Sequence, residues 1–275
     1  MLKESVPRPR VHQLLGTFDS LRKMSGPVIH QPQDYQANFN PASYLNHFYS
    51  KEATEHGLKI ALFALSAFVR RIPLTDARLL DVGSGPTIYV ALCMRKVASI
   101  IDLSDFSDTS REELSKWING SSNFDWLPII KCVAMAEGLE PLKSVWAQME
   151  VDARQRVKHI LSCDVHQLSV LQDVNQPDYD IVTTIFCLES ACQTLDQYEK
   201  AMKNVVRLLK SGGYFILISV LEDTEYTYAD DHFSLLYLTY EDIVNAMDKA
   251  GIDCHQNVTQ YEHDGVFMIL AKKRD

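Results

Sequence analysis

The feature that most constrains this chain is a glycine turn between an apolar run and a helix-like segment. Residues 79–89 read LLDVGSGPTIY, so the apolar run ends in Asp81 and leads directly into Gly83 and Gly85. Further along, a second apolar run ends in Asp102. The order strand, glycine turn, helix, strand and acidic residue is typical of the nucleotide-binding half of an open α/β sheet. The sequence therefore predicts a nucleotide-like ligand at this turn.

The residues around the turn narrow the class of ligand. A dinucleotide fingerprint needs a third glycine where the helix passes the pyrophosphate, but Ile88 stands there. The turn also lacks the lysine of a phosphate-binding loop. Asp102 can accept hydrogen bonds from ribose hydroxyls. These features favour a nucleoside without phosphates, such as S-adenosylmethionine, over NAD; the alternative is an ordinary glycine turn with no ligand.

Composition excludes several other classes of protein. The chain has 275 residues, of which 46% are hydrophobic, and this fits one large α/β domain. A formal net charge of −9 argues against a nucleic-acid-binding protein. The six cysteines form no CxxC pair, and no cluster of metal ligands is visible, so no metal site is expected. No membrane span and no secretory signal are visible, and the scattered cysteines are typical of a reducing compartment, so we expect a cytoplasmic protein. We also expect it to be a monomer.

The chain divides into a leader and one domain. Residues 1–34 are predicted to be a flexible leader, with a possible short helix over 11–24. Residues 35–275 form the domain, and residues 35–72 are predicted to be its lid. The first part of this lid, 35–49, is unusually aromatic, so it either packs as a cap or closes over a bound nucleoside.

Alternating apolar and helical patterns predict the sheet. From residue 78 onward, strands and helices follow each other in the way that is typical of a mostly parallel sheet covered on both faces. We expect seven strands, with an antiparallel strand near one edge, and no regular structure over 121–141 or 222–238. Thr194 with Gln197 and Thr239 with Asp242 are predicted helix caps, and the glycines at 212–213 and 251 are predicted to end those two helices. The predicted strands are 79–82, 99–102, 159–163, 179–186, 214–221, 254–261 and 266–272, and the predicted helices are 52–70, 87–95, 109–119, 144–157, 194–209 and 239–250.

Ligands of such sheets bind outside the carboxyl ends of the strands. Beyond the glycine turn and Asp102, the residues that follow predicted strands are Asp164 with Val165, the run 186–189, and the run 221–223. Carboxylates are frequent among them, and this favours a site that binds polar or cationic groups.

Several motifs together resemble one enzyme family. They are Phe39-Asn40-Pro41 with Tyr44, the glycine turn with Pro86-Thr87-Ile88-Tyr89, Phe124-Asp125-Trp126, Cys163-Asp164-Val165, the run CLESAC at 187–192, and LKSGG at 209–213. The chain from about residue 35 to its end is similar to the nicotinamide, indolethylamine and phenylethanolamine N-methyltransferases. The resemblance implies the Rossmann-like fold of class I methyltransferases and S-adenosylmethionine as cofactor.

The resemblance also implies where the cofactor binds. It places aromatic lid residues over the ligand, the ribose at Asp102 and the adenine at Asp164. The family's asparagine on the adenosine side has no counterpart if three extra residues follow Asp102, and Ser107 or Ser110 could replace it. The residues expected to bind the cofactor are Tyr35, Tyr44, Tyr49, Gly83, Ser84, Gly85, Thr87, Tyr89, Asp102, Leu103, Asp164, Val165 and Ile185.

Acidic residues indicate the substrate. By resemblance to the phenylethanolamine enzyme, Glu189, Asp223 and Glu262 would hold an amine, next to Phe186, and Glu189 and Asp223 would be catalytic. The nicotinamide enzyme's contacts would be replaced by Ser219 and Leu235. We therefore expect N-methylation of a small amine of the phenylethanolamine or indolethylamine kind. The alternatives are nicotinamide methylation and a protein that binds S-adenosylmethionine without turnover.

Overall fold

A twisted sheet between two layers of helices dominates the computed structural model, which describes residues 27–50, 56–172, 178–256 and 258–275. The strands are β1 (Ile29–His30), β2 (Ala77–Val82), β3 (Ala98–Asp105), β4 (Val157–Ser162), β5 (Tyr179–Ile185), β6 (Leu209–Val220), β7 (Glu225–Tyr228), β8 (Asp231–Ser234), β9 (Ile252–Asp253), β10 (Thr259–His263) and β11 (Val266–Lys273). The helices are α1 (Tyr35–Asn38), α2 (Pro41–Tyr49), α3 (His56–Val69), α4 (Tyr89–Met94), α5 (Asp108–Ile118), α6 (Leu127–Ala136), α7 (Lys143–Arg156), α8 (Leu188–Ala191), α9 (Leu195–Val206) and α10 (Tyr240–Ala250).

The main sheet has the predicted mixed topology. Its strands run in the order β10-β11-β6-β5-β2-β3-β4, and the short β9 pairs with β11. Strands β4, β3, β2, β5 and β6 are parallel, whereas β11 is antiparallel to both of its main neighbours. Within the main sheet, the chain passes from β2 to β3 and β4, and then returns to β5 on the other side of β2. This reversal makes the carboxyl ends of β2 and β5 the place where such folds bind ligands.

Both faces of the sheet are buried, as parallel strands require. Leu79 and Leu80 are adjacent in β2 and both are fully buried, but each packs into the apolar layer on a different face. One layer includes α3, α4 and α6, and the other includes α9 and α10. This double burial explains the continuous apolar runs in the sequence.

Helix-capping signals in the sequence are partly confirmed. The Thr194 side chain caps α9, Thr239 and Asp242 form a capping box at α10, and α10 ends at Gly251 with φ of +99°. Helix α9 ends at Val206, however, and residues 212–213 lie inside β6, so the prediction that this glycine pair ends the helix is wrong. The pairing of β6 with β5 passes from Leu209 directly to Tyr214, so the glycine pair lies in an irregularity of the strand, where Gly212 has φ of +70°.

Two segments predicted to be irregular contain regular structure. Helix α6 occupies part of 121–141, and its apolar side packs into the core. The segment 222–238 contains the hairpin β7–β8, and β1 pairs with β8 in a small second sheet. Residues 29–30 of the expected leader therefore pack on the domain, whereas the helix predicted over 11–24 lies outside the described residues. In the part of the chain that the structure describes, no helix is both long enough and apolar enough to span a membrane.

Candidate functional site

A cavity of about 590 Å³ opens at the carboxyl ends of β2 to β5. Its size lies in the usual range for small-molecule sites. Most of the residues predicted to bind the cofactor line it. They are Tyr35, Tyr44, Tyr49, Gly83, Ser84, Gly85, Thr87, Tyr89, Asp164, Val165 and Ile185, and the substrate candidates Phe186 and Glu189 join them.

The glycine turn forms the floor of this cavity. Gly83 and Gly85 have φ of +75° and +57°, a region that L-residues with side chains avoid. A β-carbon on Gly83 would overlap the side chain of Cys187, whereas one on Gly85 would meet only Thr87, at 4.0 Å. Gly83 thus permits close packing between two loops, and Gly85 keeps the backbone open to the cavity. Ile88 is buried in the core at the start of α4.

The acidic residue at the end of β3 is Asp105 instead of Asp102. Strand β3 continues three residues past the predicted end, to Asp105, because Asp102 and Leu103 pair with β2 inside the sheet. Both are fully buried, and neither lines the cavity. The structure therefore does not bring Asp102 and Leu103, which were expected to contact the cofactor, to the cavity. Residues 103–105, which were expected to be an insertion after the strand, belong to β3 itself.

Asp105 is well placed to hold a polar ligand. Its Oδ2 accepts a hydrogen bond from the Gly85 N–H at 2.8 Å, and its Oδ1 accepts one from the Ser107 N–H, also at 2.8 Å. Burial raises the pKa of Asp105, and these two N–H groups oppose that rise. Each carboxylate oxygen keeps a lone pair for a ligand hydroxyl. The sequence analysis did not single out Asp105. The signal for it was Ser107, whose side chain caps α5, because β3 must end before the residue that begins this helix.

Asp102 instead organises the strands below the site. Its carboxylate accepts hydrogen bonds from Arg78 Nη2 and the Tyr179 hydroxyl, both at 2.9 Å, and lies 2.7 Å from His159 Nδ1. These partners come from β2, β5 and β4, so the side chain ties four neighbouring strands together. A buried carboxylate with such partners is a structural element.

The far wall of the cavity follows β4. Asp164 and Val165 lie here as predicted, and Ser107 and Ser110 at the start of α5 face the same space. The backbone carbonyl of Val165 accepts a hydrogen bond from the Asn204 side chain at 3.1 Å, which holds the loop to α9. The structure thus brings together the residues that were expected on the adenosine side.

The aromatic lid has two parts that are distant in sequence. Tyr35, on α1, and Tyr226, on the β7–β8 hairpin, are joined by a hydrogen bond of 2.8 Å between their hydroxyls. The hydroxyl of Tyr228 accepts a hydrogen bond from the Asn40 N–H at 3.1 Å, and Phe233 on β8 packs against Tyr35. The sequence indicated only the N-terminal part of this lid, because the hairpin segment carries no strong strand pattern.

The inner side of the lid reaches the glycine turn. Tyr49 stacks on Tyr89 with ring centroids 5.9 Å apart and packs against Tyr44 at 5.8 Å. All three line the cavity, and burial raises the pKa values of Tyr49 and Tyr89 well above the ordinary value for a phenol. These hydroxyls therefore stay neutral, so they supply apolar ring surface and uncharged hydrogen-bonding groups.

Glu189 provides a carboxylate at the opposite side of the cavity from Asp105 and Asp164. It lies on α8, after β5, and its Oε1 accepts a hydrogen bond from the Val220 N–H of β6 at 3.2 Å. Glu189 follows β5 and Asp105 ends β3, and two strand spacings, about 10 Å, separate these two strands. Burial raises the pKa of Glu189 to about 7, although the Val220 N–H lowers it in part. A carboxyl group that titrates near neutral pH can bind a cation and accept a proton.

The structure does not bring the other two predicted carboxylates to this place. Asp223 and Glu262 are exposed and do not line the cavity. Asp223 follows β6, and its Oδ1 accepts a hydrogen bond from the next backbone N–H. Glu262 lies in edge strand β10, opposite Phe267. The structure therefore does not bring the three carboxylates together, because these two positions lie on outer surfaces.

Strained backbone marks the loop that carries Glu189. Phe186 lines the cavity with φ of +52°, which is costly for an aromatic residue. Its N–H donates to the Ile218 carbonyl at 2.8 Å, which fixes this loop on β6. Such strain persists only where surrounding contacts enforce it, and here it directs the loop into the cavity.

The cavity fits S-adenosylmethionine. The backbone is open at Gly85, and Asp105 offers hydrogen-bond acceptors beside it. Aromatic rings cover this side of the cavity, and Ile88 fills the place where a dinucleotide fold leaves room for pyrophosphate. Among the described residues no group of three or more histidine, cysteine, aspartate or glutamate side chains is arranged to hold a metal ion.

Comparisons with known proteins point to one family. A family model described as the NNMT/PNMT/TEMT family matches residues 27–274. The indolethylamine N-methyltransferase of Oryctolagus cuniculus is 33% identical over 254 residues, covering 88% of this chain and 95% of the relative. The nicotinamide N-methyltransferase of Caenorhabditis elegans is 30% identical over 251 residues, covering 87% and 91%.

Solved structures agree on the fold. The magnesium protoporphyrin IX methyltransferase of Synechocystis PCC 6803, solved with bound S-adenosylmethionine, has a TM-score of 0.57 and 11% identity, and the match covers 91% of this chain and all of that one. The prediction of a Rossmann-like, class I methyltransferase fold is confirmed.

A Gly83→Ala variant tests the packing of the glycine turn. The added methyl group overlaps Cys187, and the alanine backbone must also adopt a positive φ. We therefore expect a loss of about 3 kcal/mol in the free energy of unfolding. Gly138→Ala is the control, since Gly138 has a φ of +70° with nothing within 4 Å, and it should lose only about 1 kcal/mol. Urea denaturation measures both losses, and equal losses would contradict the packing role.

The pKa of Glu189 predicts an unusual pH dependence of stability. Its folded value of about 7 exceeds the ordinary 4.5. Its contribution to stability is thus complete below pH 4.5 and is lost as pH rises through 7. Glutamine does not ionise, so a Glu189→Gln variant avoids this loss. Its free energy of unfolding should equal that of the parent near pH 4 and exceed it by about 3 kcal/mol at pH 8. Urea denaturation at both pH values measures the difference; a gap independent of pH would refute the assignment.

Proposed function

The chain belongs to the NNMT/PNMT/TEMT family, and from that premise we propose that it methylates the nitrogen of a small arylalkyl amine, of the phenylethanolamine or indolethylamine kind, whose cationic group binds at Glu189. The protein is an S-adenosylmethionine-dependent N-methyltransferase, as the family, the relatives and the fold agree. The amine as substrate class is supported by one observation above all, the buried Glu189 carboxylate across the cavity from Asp105 and Asp164.

The proposed role of Glu189 follows from the chemistry of amines. S-adenosylmethionine, when bound, supplies an electrophilic methyl group on a sulfonium. An aliphatic amine is mostly protonated at neutral pH, and it must lose a proton before its nitrogen can attack. The Glu189 carboxylate binds the ammonium group and accepts that proton. A pKa of about 7 suits both tasks, because about half of the carboxyl groups are ionised at neutral pH and the carboxylate is basic enough to hold a proton.

Other residues orient the reactants and exclude water. Asp105 would accept hydrogen bonds from the ribose hydroxyls, and the Tyr35–Tyr226 contact closes the cavity above them. Leu235 and Val266 supply apolar surface for the ring of the substrate. A closed, dry site that aligns the nitrogen with the methyl group accelerates transfer mainly through proximity and orientation.

Nicotinamide is the principal rival substrate. Its ring nitrogen is neutral and needs no base, so a buried carboxylate gives it no catalytic help. Purified protein should be incubated with labelled S-adenosylmethionine and with tryptamine, phenylethanolamine, octopamine or nicotinamide in parallel. We expect kcat/KM for the best amine to exceed that for nicotinamide by about tenfold or more. The reverse order would refute the amine proposal, and no transfer to any acceptor would favour a binding protein without turnover.

A Glu189→Gln variant tests the proton-accepting role. It keeps the size of the side chain but removes its charge, so kcat/KM for the amine should fall by about a hundredfold. Cofactor affinity, measured by calorimetry, should change by less than about threefold. Glu262→Gln and Asp223→Asn are matched controls on exposed carboxylates and should leave turnover unchanged. Full amine turnover by Glu189→Gln would show that the assignment is wrong.

A pair of variants separates the two aspartates of β3. Asp105→Asn weakens acceptance from ribose hydroxyls and turns an amide NH2 toward either the Gly85 or the Ser107 N–H, so it should raise the Kd for S-adenosylmethionine by about tenfold or more and cost about 1 kcal/mol of folding free energy. Asp102→Asn should instead cost about 3 kcal/mol of folding free energy, since Arg78 would lose its buried anionic partner. Calorimetric titration and urea denaturation of both variants measure this contrast. A large loss of cofactor affinity in Asp102→Asn alone would reverse the assignment.

A further inference from the structure

A buried hydroxyl lies beside the carboxyl group of Glu189. It belongs to Ser219 in β6, which is 1% exposed, and it has no hydrogen-bond partner of normal geometry among the described residues. Leaving a buried hydroxyl unpaired is costly, so such a group calls for a physical explanation. Its neighbour supplies one, because an ionised carboxylate is a strong hydrogen-bond acceptor.

Strand pairing and loop contacts hold Ser219 close to Glu189. The next residue of β6, Val220, donates its N–H to Glu189 Oε1 at 3.2 Å. The Leu236 N–H donates to the backbone carbonyl of Glu189 at 2.8 Å, so this part of α8 is held by its side chain and by its backbone. Ser219 itself pairs with Phe267 of β11. The hydroxyl and the carboxyl group therefore have little freedom to move apart.

Several titratable groups on the elements around Glu189 stay uncharged at neutral pH. They are Cys187 before α8, Cys192 after it, Tyr198 on α9 and Tyr35 on the lid, and burial raises the pKa of each. A thiol or phenol with a raised pKa keeps its proton. These four groups therefore bring no charge to the carboxyl group.

The remaining titratable groups on the cavity side have other partners or lie farther away. His166, after β4, lies near α8, but its Nε2 is engaged with the Ala191 carbonyl oxygen at 2.8 Å. Asp105 and Asp164 line the opposite side of the cavity from Glu189. Stabilisation of an ionised Glu189 must therefore come chiefly from hydrogen-bond donors.

Three donors lower the pKa of Glu189 and so favour its ionised form. Two of them are backbone N–H groups, those of Glu189 itself and of Val220, and the third is the Ser219 hydroxyl. A side-chain replacement leaves the backbone donors in place, whereas it can remove the hydroxyl. Ser219 is thus the position at which a single substitution can change the basicity of Glu189 without touching the carboxyl group.

We propose that Ser219 is a positioning residue whose hydroxyl donates a hydrogen bond to the ionised Glu189 carboxylate and keeps it ready for an ammonium group. This inference rests on the proposed function, in which Glu189 binds the amine and accepts its proton. A hydrogen bond to an ionised acceptor is stronger than one to a neutral acceptor, so the hydroxyl stabilises the carboxylate more than the carboxylic acid. Loss of the hydroxyl therefore favours the protonated form, which cannot act as a base.

The pH dependence of amine methylation tests this role. Ser219→Ala removes the hydroxyl and should raise the pKa of Glu189 by about 1. Since Glu189 acts only when ionised, kcat/KM for the best amine should fall about fivefold at pH 7 and stay within about twofold of the parent at pH 9. An equal loss at both pH values would indicate a merely structural role and would overturn the proposal.

Two matched variants control for packing. Ser219→Thr keeps a hydroxyl donor and suits a β-strand, so it should retain the pH profile of the parent. Ser66→Ala removes a hydroxyl of α3 that is also buried, 3% exposed, and without a partner among the described residues, and it should leave the profile unchanged. A profile shifted in either control as far as in Ser219→Ala would refute a specific role of the Ser219 hydroxyl.

A titration without substrate separates this inference from the proposed function. Full-length protein labelled with carbon-13 at the glutamate carboxyl groups reports the pKa of Glu189 by NMR, and Glu189→Gln identifies its resonance. We expect a pKa of about 7 in the parent and of about 8 in Ser219→Ala. An unchanged pKa would overturn the role of Ser219 even if amines are methylated. A raised pKa without any amine turnover would support the hydrogen bond and refute the proposed function instead.

Discussion

The Asp105 carboxylate connects the three parts on which the methyl-transfer site depends. It accepts hydrogen bonds from Gly85 in the glycine turn and from Ser107 at the start of α5, while its own backbone ends β3. The turn, the strand end and the helix start therefore have fixed relative positions before any ligand arrives. Preorganisation of this kind lowers the cost of ordering the site when a ligand binds. The remaining groups of the cavity are arranged around this fixed corner.

The sequence predicted the central sheet well because its signals were local. The glycine turn, the apolar runs and the Thr194 and Thr239 caps each depend on a few neighbouring residues, and the structure confirms them. The end of β3 was wrong because the apolar run stops before Asp102, and only the pairing with β2 and β4 shows that the strand continues to Asp105. That pairing is a tertiary property.

The candidate site was predicted less completely than the fold. Tyr44 and Glu189 lie in family motifs, Tyr35 and Tyr49 lie in the aromatic stretch 35–49, and the cavity brings all four together. Asp223 and Glu262 were placed by counting along loops and edge strands, where small shifts move a side chain from a cavity to an outer surface. The hairpin with Tyr226 was missed because its short strands are stabilised by ring contacts with distant residues.

The divided lid links substrate choice to the lifetime of the bound cofactor. Tyr35 and Tyr226, which meet above the cavity, are 191 residues apart in the chain. Any exchange of nucleoside requires these two pieces to part, and the same hairpin leads directly into Leu235 on the cavity wall. A change in the hairpin that admits a larger acceptor would therefore also loosen the closure over the spent nucleoside. Acceptor range and product residence time would then evolve together in this enzyme.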